Sequence, residues 1–392
     1  FGRRHGDPSR PWNHFEIKLK DNDGQRLLAY EGNWRDIFQN WEALSLSYPD
    51  FIPSMIAKFV NASTIDGYNP YRVTQDGIDW EVEDLEDPWS YIGYWGDHQI
   101  IYLLKFLELS EAFYPDLLTE LMTQPLFSYA NVPYRLKPFD AMVKDPKNTV
   151  LYDEALAKRI ERRVSEIGAD GKLILTQDHE VYQVTLLEKL LVPMLSKLSN
   201  LVEGGGIWLN TQRPEWNDGN NALVGSGVSF VTLCYLQRYA QFLKTILASC
   251  PKQIILTHAV GDWLTRTNEV LTDILTQLQD KPLNPEQRFK SLKALGQAAS
   301  AYRAEVYQAE ALEKGVFERS SIDALIDSAL PIFERTIAEN QREDGLFQTY
   351  NLLKTENEQA TISHLYPMLE GQVAILSAKT LPPSEAVKVL DA

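Results

Sequence analysis

Asp97-His98-Gln99-Ile100-Ile101-Tyr102-Leu103-Leu104-Lys105-Phe106-Leu107-Glu108-Leu109 carries its apolar residues at helical spacing. Ile100, Ile101, Leu103, Leu104 and Leu107 form a stripe too wide for a helix with one buried face, so the spacing predicts a helix packed on two sides. Similar blocks recur from Trp34 onward, at about 34–46, 50–61, 111–122, 153–166, 180–201, 221–248, 252–279, 285–312, 319–341 and 358–379. Strand signals are confined to Phe15-Glu16-Ile17-Lys18-Leu19 and Leu27 to Tyr30 around the Asp21-Asn22-Asp23-Gly24 turn, and to Leu173-Ile174-Leu175 and Ile207-Trp208-Leu209. Helices joined in up-down order read as a closed toroid of helical hairpins. An α-solenoid would need self-similarity at a period of about 34 to 47 residues, and no such signature recurs.

The chain has 392 residues, 44% of them hydrophobic and 23% charged, which is ordinary globular composition with room for a large core. No stretch approaches the roughly 20 apolar residues of a membrane-spanning helix, so no membrane insertion is expected. A net charge of −16 repels phosphate backbones and argues against a nucleic-acid partner. Cys234 and Cys250 lie in apolar helical contexts without metal-ligand spacing, and read as buried thiols that fit a reducing, cytoplasmic compartment without establishing it. The end at Asp391-Ala392, inside an expected helix, reads as a piece of a longer protein.

Three polar and aromatic clusters precede expected helices. The densest runs from Gly204-Gly205-Gly206-Ile207-Trp208 to Arg213-Pro214-Glu215-Trp216-Asn217-Asp218-Gly219-Asn220-Asn221. An indole can stack on the apolar face of a pyranose, amides can bind its hydroxyls, and an acid held by the loop can deliver a proton. The plainer reading is that Asp218 to Asn221 cap the long helix that follows. The second cluster is Gly32-Asn33-Trp34-Arg35-Asp36-Ile37-Phe38-Gln39-Asn40, where Arg35 and Asp36 also suit a surface ion pair. The third is Trp89 with Trp95-Gly96-Asp97-His98-Gln99, where a lone His98 suits a helix terminus better than a metal. Trp34, Trp89 and Trp95 are expected to supply stacking surface next to Trp216. No HExxH, Walker loop, dinucleotide fingerprint or GxSxG elbow occurs, so no metal and no cofactor is expected.

In order and spacing, these segments resemble the catalytic domain of glycoside hydrolase family 94, the cellobiose and chitobiose phosphorylase group. Residues 32–40 resemble that family's G-[FY]-R-D-x-x-Q-D, residues 95–100 its S-D-D-H-L-W, and residues 215–221 its D-W-N-D-G-x-N. Ser63-Thr64-Ile65-Asp66-Gly67-Tyr68-Asn69-Pro70-Tyr71 is similar to a segment between the first two. The likeness covers roughly residues 24 to 248. It departs from the family at Asn40, Gly96 and Glu215, and the family's C-terminal phosphate-binding loops are not found.

The resemblance implies an all-α (α/α)6 barrel over 31–392, preceded by a hairpin segment over 1–30. It also implies an inverting enzyme acting on an oligosaccharide, with Asp218 as general acid and Arg35 with Asp36 holding the sugar. Trp34, Trp95, Asp97, His98, Glu215, Trp216 and Asn217 complete the expected substrate site. Inorganic phosphate enters as co-substrate if the reaction is phosphorolysis. A hydrolase instead needs a carboxylate base roughly 6.5 to 9.5 Å from the acid, for which Asp36, Asp97, Asp344 and Glu370 are the candidates. The alternative is a catalytically silent helical carbohydrate-binding or interaction domain. The sugar, the linkage and the oligomeric state are not legible in the sequence.

Overall fold

The computed structural model describes residues 20, 23–25, 31–69, 72–74, 77–82, 92–94, 99–211, 223–278 and 281–392. Its longer helices are α1 (Trp34–Ser45), α2 (Ile52–Ala62), α3 (Gln99–Phe113), α4 (Glu154–Ile167), α5 (Leu186–Leu198), α6 (Phe230–Leu247), α7 (His258–Gln277), α8 (Pro285–Gln308), α9 (Ser320–Glu339) and α10 (Leu369–Ala378). The strands that matter below are β1 (Glu31–Asn33), β2 (Arg72–Thr74), β3 (Gly77–Asp79), β4 (Leu201–Val202), β5 (Gly206–Trp208), β6 (Gly227–Ser229), β7 (Gln253–Thr257), β8 (Lys314–Glu318), β9 (Tyr350–Glu356) and β10 (Gln359–His364).

Every residue of α5 is buried, including Glu188, Lys189 and Lys197. It packs against α2, α3, α6, α7 and α8, while α6 packs in turn on α3, α9 and α10. Charged groups on so enclosed a helix need partners. Glu188 accepts from the Tyr129 hydroxyl at 2.8 Å and from the Thr257 amide and hydroxyl, both at 2.6 Å. Lys189 donates to the Ser63 carbonyl at 3.1 Å and lies 3.7 Å from the Tyr129 ring centroid. Burial pushes the Lys189 ammonium well below, and the Glu188 carboxyl above, their ordinary ranges.

The helix starts follow capping chemistry. Thr185 caps α5 by accepting from the Glu188 amide at 3.2 Å, and Ser229 caps α6 by accepting from the Thr232 amide at 3.0 Å. Asn284 and Gln287 form a reciprocal capping box at α8, with Pro285 in its first turn.

The expected all-α barrel is overturned by the strands. Helix accounts for 56% of the structure and strand for 17%, which makes the fold mixed α/β. A five-stranded antiparallel sheet in the order β10-β9-β6-β5-β4 is set among the helices, and β1-β2-β3 and β7-β8 form smaller sheets. The physical reason lies in burial. Strand β5 falls on the Ile207-Trp208-Leu209 signal, but β6 is buried throughout, so it lacks the alternation of a half-exposed strand, and an apolar run this short merges into the neighbouring helical period.

Four expected helices therefore shorten. The one begun at 180 starts at Leu186, after the short strand Val184–Thr185. The one begun at 221 starts at Phe230, after β6. The one begun at 252 starts at His258, after β7. The one expected over 358–379 is β10 followed by α10. The block expected over 111–122 divides between the end of α3 and a short helix, Leu117–Leu121. The β9–β10 turn is made by Asn357 and Glu358 at φ 50° and 57°, a left-handed pair with no glycine to announce it. Of the hairpin expected over 1–30, only residue 20 and the turn region 23–25 lie among the described residues. Cys234 and Cys250 are both buried and free. Among the described residues, no helix is long and apolar enough to cross a membrane.

Candidate functional site

Leu209 extends the β5–β6 pairing, donating to the Gly227 carbonyl at 2.8 Å and accepting from Gly225 at 3.1 Å. The N-cap of α6 is Ser229, and residues 212–222, with Glu215 to Asp218, lie outside the described residues. At the root of that segment, the Tyr94 amide donates to the Thr211 carbonyl at 3.2 Å and the Thr211 hydroxyl donates to the Tyr94 carbonyl at 3.0 Å. The chain therefore passes into 95–98 and into 212–222 from adjoining points. The second cluster, which holds Trp34, is tied in through aromatic packing. Trp34 opens α1 and meets Tyr102, in the first turn of α3, edge to face at 5.9 Å.

Beneath these roots lies a buried polar network centred on Asp66. It accepts from the Thr64 hydroxyl, from Tyr307 at 2.6 Å and, at the longer distance of 3.4 Å, from Tyr94. Burial first, and the charge of Asp66 second, push the Tyr94 and Tyr307 hydroxyls well above the ordinary phenol range, so both stay protonated and donate. Tyr68 stacks on Tyr94 with centroids 5.2 Å apart, and its hydroxyl accepts from Asn200 at 3.2 Å. Asn200 accepts in turn from Asn210, one residue before Thr211, at 2.7 Å. Gly67 is required in this turn. It sits at φ +90°, and a Cβ there would lie 2.7 Å from Ser196 Cβ and 2.9 Å from the Val192 carbonyl of α5.

Two buried amide side chains lie beside these roots. Asn69, next to Tyr68, and Gln99, next to His98, are both wholly buried. No amide atom of either side chain has a hydrogen-bond partner among the described residues.

Of the residues expected in the site, Trp34 is described in full. Its ring is wholly buried, 5.7 Å from Phe59 as well as against Tyr102, so it is core and not a stacking platform. The cause is its place on the apolar stripe Trp34, Phe38, Trp41 of α1. Arg35 and Asp36 fall in the first turn of α1, and their side chains lie outside the described residues. So do Trp89, Trp95, Asp97, His98, Glu215, Trp216, Asn217 and Asp218. Among the candidate bases, Asp344 is paired with Arg342 at 2.8 Å in an exposed turn, which holds its carboxyl below the ordinary range and makes it a poor proton acceptor. Glu370 is half-buried in the first turn of α10. Asp66, the centre of the buried network, is not singled out by the motifs, although they include the segment Ser63 to Tyr71. An acid directly before Gly-Tyr, following Ile65, is the available signal. No protein-family model matches this chain, and no curated protein matches it.

Proposed function

We propose that this protein cleaves a glycosidic bond in an oligosaccharide with inversion, using Asp218 as the general acid. The observation that carries the reading is the double hydrogen bond between Tyr94 and Thr211, which starts the segments bearing Asp97 and Asp218 from one place. In this reading Asp218 protonates the departing glycosidic oxygen. Arg35 and Asp36 hold the sugar on the non-reducing side, Trp216 and Trp95 face its apolar surface, and Asp97, His98, Glu215 and Asn217 bind hydroxyls. Phosphate, or a water activated by a carboxylate, attacks the opposite face of the ring.

The test is turnover of disaccharides and aryl glycosides by the wild-type protein and by Asp218→Asn, with and without phosphate. The amide keeps the shape but delivers no proton. The variant should lose roughly two to four orders of magnitude on unactivated substrates and much less on activated aryl glycosides. Phosphate-dependent release identifies a phosphorylase, and phosphate-independent release a hydrolase. Full activity of the variant on unactivated substrates removes Asp218 from the role. Sugar binding without turnover by either protein identifies a silent binding domain.

A further inference from the structure

A cavity of about 420 Å³ opens where the β4–β5 turn meets the start of α8, the end of α9 and β10; Gly204, Arg288, Glu339, Thr361, Ile362 and His364 line it together with Pro282 and Pro285. Gly204 lies at the opposite end of β5 from Thr211, and the chain from Gly206 to Thr211 spans about 16 Å if fully extended. None of its lining residues belongs to the network around Tyr94, Asp66 and Thr211.

Its polar groups are held in fixed roles. Asn340 donates to the Gly204 carbonyl at 3.1 Å and to the Thr336 carbonyl at 2.8 Å, which leaves its oxygen to accept from Asn351 at 2.7 Å. Asn351 also donates to the Gly205 carbonyl at 2.8 Å, so its own oxygen is the acceptor facing His364 Nδ1 at 2.7 Å. Nδ1 therefore carries the proton of that bond, and in this tautomer Nε2 is an acceptor. Arg288 donates to three backbone carbonyls, those of Glu203 at 2.7 Å, Leu283 at 3.0 Å and Ala360 at 3.1 Å. Glu339 is paired with Arg335 at 2.8 Å, and the buried Glu203 carboxyl stands 3.6 Å from Arg288. Gly204 keeps the floor open, because a Cβ there would lie 2.8 Å from Glu339 Oε2.

Glu339 is offset by Arg335, and Arg288 is turned onto backbone carbonyls beside the Glu203 carboxyl, so no unpaired charge faces the cavity to select an anion or a cation. What remains is a set of acceptors, Glu339 and His364 Nε2, with the Thr361 hydroxyl and apolar walls from two prolines and Ile362. We infer that this cavity is a second binding site, for a neutral polyhydroxylated ligand of mono- to disaccharide size, whose hydroxyls donate to His364 and Glu339. It does not depend on the reading of Asp218.

The experiment is calorimetric titration of the full chain with glucose, cellobiose, maltose and myo-inositol, and with sulfate and ethylammonium as charged probes. It is run on the wild type, Trp216→Ala, His364→Ala and Thr361→Trp, with circular dichroism to check the fold. The expected result is saturable binding of at least one neutral probe that persists in Trp216→Ala, weakens about tenfold in His364→Ala, the cost of roughly one hydrogen bond, and is lost in Thr361→Trp. Thr361 is exposed, so its variant fills the cavity without touching the amide relay even if His364→Ala fails to fold. Absence of binding by every neutral probe overturns the inference. So does binding lost only in Trp216→Ala, or tighter binding of sulfate or ethylammonium at the same residues.

Discussion

Glu203 is 2% exposed, and neither of its carboxyl oxygens makes a side-chain hydrogen bond among the described residues. Burial first, then the neighbouring Glu339 charge, raise its pKa to about 7, against the opposing pull of Arg288, the Leu283 backbone and Arg335. The unfolded chain releases this proton near pH 4.5 and the folded chain near 7, so between those values the folded state binds more protons. Stability contributed by the protonated form is fully present below about 4.5, declines through the window and is lost above about 7. The fall attributable to this group should be about 3 kcal/mol at most. Chemical denaturation of the wild type and Glu203→Gln from pH 4 to 8 measures it, and the variant should show the shallower decline. A pH dependence identical in both proteins would remove Glu203 as its source. In the sequence, Glu203 is one of many acids and happens to precede a glycine run, because its burial is set by Arg288 and other residues far along the chain.

Among the elements, α6 shows how capping chemistry fixes a boundary that periodicity blurs. Phe230, Val231, Leu233, Cys234, Leu236 and Tyr239 keep the apolar period, but Val228 before them is equally buried within β6. Ser229 separates the two by turning the chain and accepting from the Thr232 amide. Ser229→Ala should cost about 1 kcal/mol of stability in urea denaturation, since it orphans an amide at the start of a buried helix. A variant as stable as the wild type would mean that the boundary is held by packing alone. The same comparison separates the legible elements from the illegible ones. Helices α8 and α9 fall close to their expected limits, helped in α8 by an Asn-Pro-Glu-Gln start. Strands β6, β7 and β10 merge into the helical blocks beside them, because segments this short carry too few residues to show a period of their own.

Across the whole molecule, the candidate site depends on segments far apart in sequence meeting at Tyr94 and Thr211. Thr211→Val keeps the backbone bond and removes the hydroxyl bond to the Tyr94 carbonyl. Stability should fall by about 1 kcal/mol, and turnover of unactivated glycosides should fall by more than that loss of folded protein explains. Activity that tracks the folded fraction alone would show that the junction is structural only.

Periodicity and composition are local properties, and they suffice to read the helical blocks, the lack of a long apolar span, the buried thiols and the three clusters that frame the candidate site. The mixed α/β fold, the place of Trp34 in the core, the burial of Asp66 and Glu203, and the meeting of Thr211 with Tyr94 are settled at a different level. Each rests on burial and hydrogen bonding between distant segments, and no local pattern of residues encodes which distant segment will supply the partner.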